Sequence, residues 1–177
     1  GADLSGAILT GVDLSGKDLT GTILAGVDLP EKDLTETILI GANLSGTILR
    51  GADLSNANLT GVDLSGKDLT GTIFSGANLS GVDLSGRDLT GTILIGADLS
   101  GANLTGVDLS GMDLTGTRLV GFDLSNTNLS STIFINANLE NATLENAKLL
   151  DANLDGANLT NANLRNALLA DANLSNA

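Results

Sequence analysis

The chain of 177 residues has no cysteine, histidine, tyrosine or tryptophan, and only one proline, one methionine and three phenylalanines. Without cysteine there is no disulfide framework and no thiolate metal site, and the redox compartment leaves no trace in the sequence. Without histidine the acid–base repertoire is reduced to carboxylates and lysines. No stretch approaches the run of about 18 apolar residues that spans a membrane as a helix, and no charged, then apolar, then small leader precedes the first repeat. A cytoplasmic protein is therefore expected, with no membrane partner. Cations are scarce as well: 8 Lys and Arg stand against 21 Asp and Glu, a net charge of −13. An excess of that sign disfavours direct binding of nucleic acid.

Leucine, by contrast, is plentiful and strictly spaced. From Leu4 every fifth residue is Leu, or Phe at Phe74 and Phe134, and the register runs to Leu174 without insertion or deletion. With this central residue called position 0, position −2 is mostly Ala, Val or Thr, and position −1 mostly Asp or Asn with an occasional Ile. Position +1 is mainly Ser or Thr, and +2 is Gly or Asn with few exceptions. Side chains alternate sides along extended backbone, so −2 and 0 point one way and −1 the other. The apolar pair is assigned to the interior. Positions +1 and +2 carry turn chemistry: Gly and Asn accept a positive φ, and the only proline, Pro30, sits at +1, where its fixed φ suits the first central residue of a turn. Each pentad is one short strand and one corner.

A helix would step this period by about 140°, spreading the leucines around its surface, and would have to absorb 23 glycines. A coiled coil needs spacings of three and four, which are absent. A solenoid remains, in which equivalent positions stack along an axis and each coil pairs its backbone with the next.

Gly1-Ala2-Asp3-Leu4-Ser5, Gly41-Ala42-Asn43-Leu44-Ser45 and their relatives along the whole chain resemble the A(D/N)LXX motif of the pentapeptide repeat proteins. The resemblance implies an all-β fold, a right-handed quadrilateral parallel β-helix with four pentads to a coil. The recurrence of Val62-Asp63, Lys67-Asp68 and Thr72-Ile73 as Val82-Asp83, Arg87-Asp88 and Thr92-Ile93 agrees with a coil of 20 residues. The expectation is one domain over residues 1–177, of about nine coils and about 40 Å at roughly 4.8 Å per coil.

Fourteen of the acids are Asp at the outward −1 position, from Asp3 to Asp123. Assigned to four faces in turn, they fall four to each of three faces, with only Asp18 and Asp98 on the fourth. The plain reading is a solvated surface. The sharper one, implied by the resemblance, is mimicry of duplex DNA toward a type II topoisomerase such as gyrase, which some family members use. The chain would carry one charge per roughly 3 Å, against one per roughly 1.7 Å in B-DNA. Carboxylate pairs such as Asp13 and Asp33 arise in any solenoid with Asp at a repeat position, so no catalytic residue, metal site or cofactor is assigned, and no enzymatic activity is expected.

Two departures from the repeat stand out. Lys17, Lys32, Lys67 and Arg87 occupy the inward −2 position, each just before an Asp; their stems are expected to cover the coil edge while the charged ends turn out to adjacent carboxylates. On the third face Ile73, Ile93 and Ile133 replace Asp at −1, and Ile95 and Ile135 add to them at +1. These five form a candidate interaction patch. The competing reading is that β-branched residues simply favour strands. Past residue 126 Asn largely replaces Gly at +2, and Ala dominates −2, which predicts a tighter interior and a less acidic surface. The chain starts and stops inside the repeat, so open ends with unpaired strand edges are expected to need a cover. The functional expectation is a rigid acidic interaction or structural module, with self-association through the ends or the Ile strip, or an unidentified protein partner.

Overall fold

A computed structural model describes Gly1–Ala177 and contains no helix. The local geometry repeats in every pentad. The carbonyl of a central residue accepts the amide three residues on, as in Ala7 N→Leu4 O at 2.9 Å and Ala57 N→Leu54 O at 3.0 Å. This closes a β-turn whose second central residue is +2. That residue has positive φ throughout, 64° at Gly6 and 58° at Asn141, as a turn of type II requires. Glycine meets the demand without strain, and asparagine is the next most tolerant residue. Five positions break the rule and hold another residue in the left-handed region: Glu31, Glu36, Ser131, Asp151 and Asp171.

Between corners the strands are too short to be more than isolated bridges, and every bridge is parallel and joins residues 20 apart. Four pentads therefore make a coil. The chain divides into two compact units, the first Gly1–Ile93 with Ala102–Val107, the second Leu94–Gly101 with Asp108–Ala177. In the first, columns run Asp18–Ile38–Asn58–Asn78 and Asp33–Asp53–Ile73–Ile93. In the second, they run Asp98–Arg118–Asn138–Asn158 and Asp113–Ile133–Asn153–Asn173.

The interior is what the alternation demands. Central residues from Leu14 to Leu154 are buried, with Phe74 and Phe134 fully enclosed, and the −2 residues beside them are mostly buried too. The exceptions among the central residues are Leu4 and Leu9 at one extreme and Leu159, Leu164, Leu169 and Leu174 at the other. A central side chain is covered by the coil on each side, and within the described residues these have a neighbour on one side only, as do Leu14 and Leu19, which are nevertheless buried. Buried Thr at −2 hides its hydroxyl on a central carbonyl. Thr37 Oγ1 donates to Leu34 O at 2.6 Å within its own coil, whereas Thr72 Oγ1 donates to Leu49 O at 3.0 Å on the coil before.

Candidate functional site

The outward −1 position carries the surface chemistry, and its side chains are not free. Asp3 Oδ1 accepts both the Ser5 amide at 3.0 Å and the Ser5 hydroxyl at 2.5 Å. The same pair of bonds recurs at Asp18 with Thr20, Asp53 with Ser55 and Asp88 with Thr90. Asn serves equally, as in Asn43 with Ser45 and Asn158 with Thr160. This amide starts the corner and lies off the inter-coil ladder, so the side chain at −1 satisfies a donor that the backbone leaves over.

The bonds stabilise the ionised form. The Ser5 hydroxyl and then the Ser5 amide hold Asp3 below the usual carboxylate value, and Thr20 does the same for Asp18. At Asp88 the bonds from Thr90 outweigh the repulsion from Asp68 one coil earlier, so the net shift is also downward. At Asp83 and Asp108 the amide bond is the largest cause.

Isoleucine at −1 has no such bond to give. In six pentads it is preceded by an inward Thr, in the pairs Thr22-Ile23, Thr37-Ile38, Thr47-Ile48, Thr72-Ile73, Thr92-Ile93 and Thr132-Ile133. The repeat thus has two forms, one with its polar group outside at −1 and one with it inside at −2. The structure brings Ile73 and Ile93 together as bridge partners, above Asp53 in the same column of the first unit. In the second unit Ile133 lies between Asp113 and Asn153, Ile135 O accepts the Gly116 amide at 2.9 Å, and Ile95 is exposed. Apolar outward positions are not confined to the third column. Ile23, Ile38 and Ile48, one on each of the other three, are 37%, 36% and 45% exposed, against 39% for Ile93. Their shared Thr-Ile spelling was the sequence signal that would have found them.

The inward cations meet carboxylates, but not those that follow them. Lys67 lies near Asp63, and burial nevertheless pulls its pKa down, the Asp63 charge opposing. Arg87 lies near Asp83, and Asp13 feels both Lys17 and Lys32. The following Asp sits on the opposite side of the strand. The Asp four residues earlier stands across the corner, within reach. Lys32 does something different: its Nζ caps carbonyls of the preceding coil, Leu9 O at 3.0 Å and Val12 O.

No group of three or more acidic side chains is placed to hold a metal ion, and no helix is long and apolar enough to cross a membrane. An open depression of about 500 Å³ on the second unit is lined by Gly156–Thr160, Asn176 and Ala177, and none of these side chains titrates.

Parallel bridges 20 residues apart, corners at every fifth step and a central leucine inside define a β-helix of five-residue units. The chain belongs to the pentapeptide repeat family, whose model, Pentapeptide repeats, matches in 8 copies over residues 1–31, 18–56, 33–66, 48–86, 88–121, 123–161 and 147–177. Among solved structures it is similar to HetL, a pentapeptide repeat protein involved in heterocyst differentiation regulation from the cyanobacterium Nostoc sp. Strain PCC 7120. The two share 32% identity over 95% of this chain and 90% of HetL, with a TM-score of 0.69. A trypsin-treated variant of QnrB1, a plasmid-mediated fluoroquinolone resistance protein, is 17% identical over 93% of this chain and 79% of its own, with a TM-score of 0.50, a likeness of fold. No curated protein sequence matches the chain.

Proposed function

We propose that the chain is a non-enzymatic β-helical module, wound right-handed in about nine coils, that binds a protein partner through its outward side chains. The observation that carries this reading is the −1 array. Nearly every carboxylate is oriented by its own corner, Asp28 before Pro30 being an exception, and at many of them the neighbouring hydroxyl is already donated, as in Ser5 to Asp3 and Thr90 to Asp88. A carboxylate held below its ordinary pKa is a poor general base, so these pairs are unsuited to activating a nucleophile. They are suited to presenting fixed charge. The likeness to HetL, a protein involved in regulation, supports a binding role over a catalytic one.

Ile73 and Ile93, with Ile95, Ile133 and Ile135, are the positions proposed to contact the partner. Rigid walls need little ordering on association, so even a few apolar contacts on them are effective. Changing Ile73 and Ile93 together to Asp places at −1 a residue the repeat already uses there. The expected result in sedimentation velocity is loss of a self-associated species seen for the wild type, with an unchanged circular dichroism spectrum. A wild type and a variant that both sediment as the same monomer would discard self-association through this pair.

The net charge of −13 favours a second reading, mimicry of duplex DNA toward a type II topoisomerase. Inhibition or protection of gyrase supercoiling at stoichiometric protein would favour mimicry. Full activity at that ratio would leave the first reading.

A further inference from the structure

Beyond the first coil, where Ile8 and Asp13 are likewise unbridged, Gly61–Leu69 is the stretch of the first unit in which two successive pentads lack a bridge. Asp63 and Asp68 take part in no bridge. The amides of Gly61, Asp63, Leu64, Gly66, Asp68 and Leu69 donate to no carbonyl of a neighbouring coil, and the segment's own backbone bonds are the turns Val62 N→Leu59 O at 3.0 Å and Lys67 N→Leu64 O at 3.2 Å. The half-coil that follows is tied on both sides, through Ile73 N→Ala52 O at 2.9 Å and Phe74 N→Ile93 O at 2.7 Å. The corner after the segment is also closed on both sides, by Gly51 N→Thr70 O and Gly71 N→Thr90 O, both at 3.1 Å, and the corner before it is tied to the preceding coil by Gly41 N→Thr60 O at 3.2 Å. What keeps the segment in place is apolar: Val62, Leu64 and Leu69 are buried.

The side chains in register account for the open ladder. One coil earlier, Ala42 and Thr47 occupy the inward positions over which Val62 and Lys67 must fit, so larger groups stack on smaller ones. One coil later, like repeats on like: Asp83 follows Asp63, Arg87 follows Lys67 and Asp88 follows Asp68. Lys32, the other half-buried inward lysine, likewise coincides with an absent bridge between Asp13 and Asp33, and its ammonium takes the Val12 carbonyl instead. At Lys32, Lys67 and Arg87 the Asp that follows the inward cation has no ladder bond to the coil before. The bond to the coil after is kept beside Lys17 and Lys32, through Ile38 N→Lys17 O at 3.0 Å and Asp53 N→Lys32 O at 2.9 Å; the ladder is also open without a cation, between Asn78 and Asp98.

We propose that Gly61–Leu69 is a strap that lifts from the β-helix while the rest of its unit stays folded, exposing Leu64, Leu69 and the strand edges beside them. Regions with few buried backbone bonds open at a lower free energy than the cores around them. Amide hydrogen exchange on the full chain reads this directly. Leu64 and Leu69 are expected to exchange roughly 100-fold faster than Leu54 and Leu59 of the preceding half-coil, whose amides bond Ile73 O at 2.8 Å and Asn78 O at 2.9 Å. Equal protection of the two pairs would overturn the strap. The Lys67→Thr variant, which places at this seam a residue that −2 accepts elsewhere, is expected to slow exchange at Leu64 and Leu69 and leave Leu54 and Leu59 unchanged. Exchange unaltered by that substitution would overturn the assignment of the opening to the inward cation.

Discussion

At the scale of the residue, the outward aspartate acts as a corner cap as well as a charge. What the cap needs is an acceptor oxygen, which Asn also provides, so Asp88→Asn is expected to leave thermal stability almost unchanged. Asp88→Ala removes the acceptor for both the Thr90 amide and its hydroxyl, and a clear fall in Tm is expected. Leu89→Asp, one residue on, places a carboxylate among buried leucines and is expected to cost more than about 4 kcal/mol, enough to break the coil. Equal losses for Asp88→Asn and Leu89→Asp would mean that the faces are inverted. The caps also fix the response to acid. The carboxylates of Asp3, Asp18 and Asp88 have folded pKa values below the ordinary 3.8, so the stabilisation from these caps is fully present above that value and is lost as the pH falls from it through the folded values. Tm is expected to hold from neutral pH to about 5 and to fall below about 4; a Tm that rises in that lower range would show that relief of the net negative charge outweighs the caps. The sequence made the inward and outward sets legible because period two needs no tertiary knowledge. It did not disclose the partners of Lys67 and Arg87, because reach across a corner depends on backbone direction.

At the scale of the element, the unit is the corner, and its cost is set by the residue with positive φ. Glu36 is held at φ 57° with no compensation that glycine would lose, so Glu36→Gly is expected to stabilise by about 1 kcal/mol. Calorimetry checks the sign. In the second unit, Asn at +2 adds a side-chain ladder between coils, Asn161 Nδ2 to Asn141 Oδ1 and Asn166 Nδ2 to Asn146 Oδ1, each at 3.2 Å. A second ladder at −1 joins Asn158 to Asn138 and Asn173 to Asn153. Asn141→Gly keeps the corner and loses the ladder bond, with a longer, exposed bond from Asn141 Nδ2 to Glu140 Oε1 at 3.4 Å, about 1 kcal/mol, whereas Asn141→Ala adds a left-handed penalty of roughly 1–2 kcal/mol. A loss no larger for Ala than for Gly would show that the corner geometry is not the constraint. The change from Gly to Asn past residue 126 was plain in the sequence, but its meaning was not: a ladder requires two asparagines 20 residues apart to be neighbours, and only the coil length makes them so.

At the scale of the whole molecule, the register is the argument. Thirty-five central residues follow one another without a slip, and each bridge joins positions four pentads apart. The candidate patch was the least legible feature, because a column of isoleucines is conspicuous in the sequence while the exposed Ile23, Ile38 and Ile48 on other columns are not, until burial is known. The coil length is open to direct measurement, since the chain has no cysteine of its own. Bridge partners in neighbouring coils lie within the range of about 4.4–6.8 Å between Cα atoms that a disulfide spans. A variant with Asn58→Cys and Asn78→Cys, 20 residues apart, is predicted to close a disulfide under mild oxidation without loss of folded structure. Its companion with Asn58→Cys and Asp83→Cys, 25 apart, is predicted to stay reduced. A disulfide in the companion and none between positions 58 and 78 would contradict the four-pentad coil.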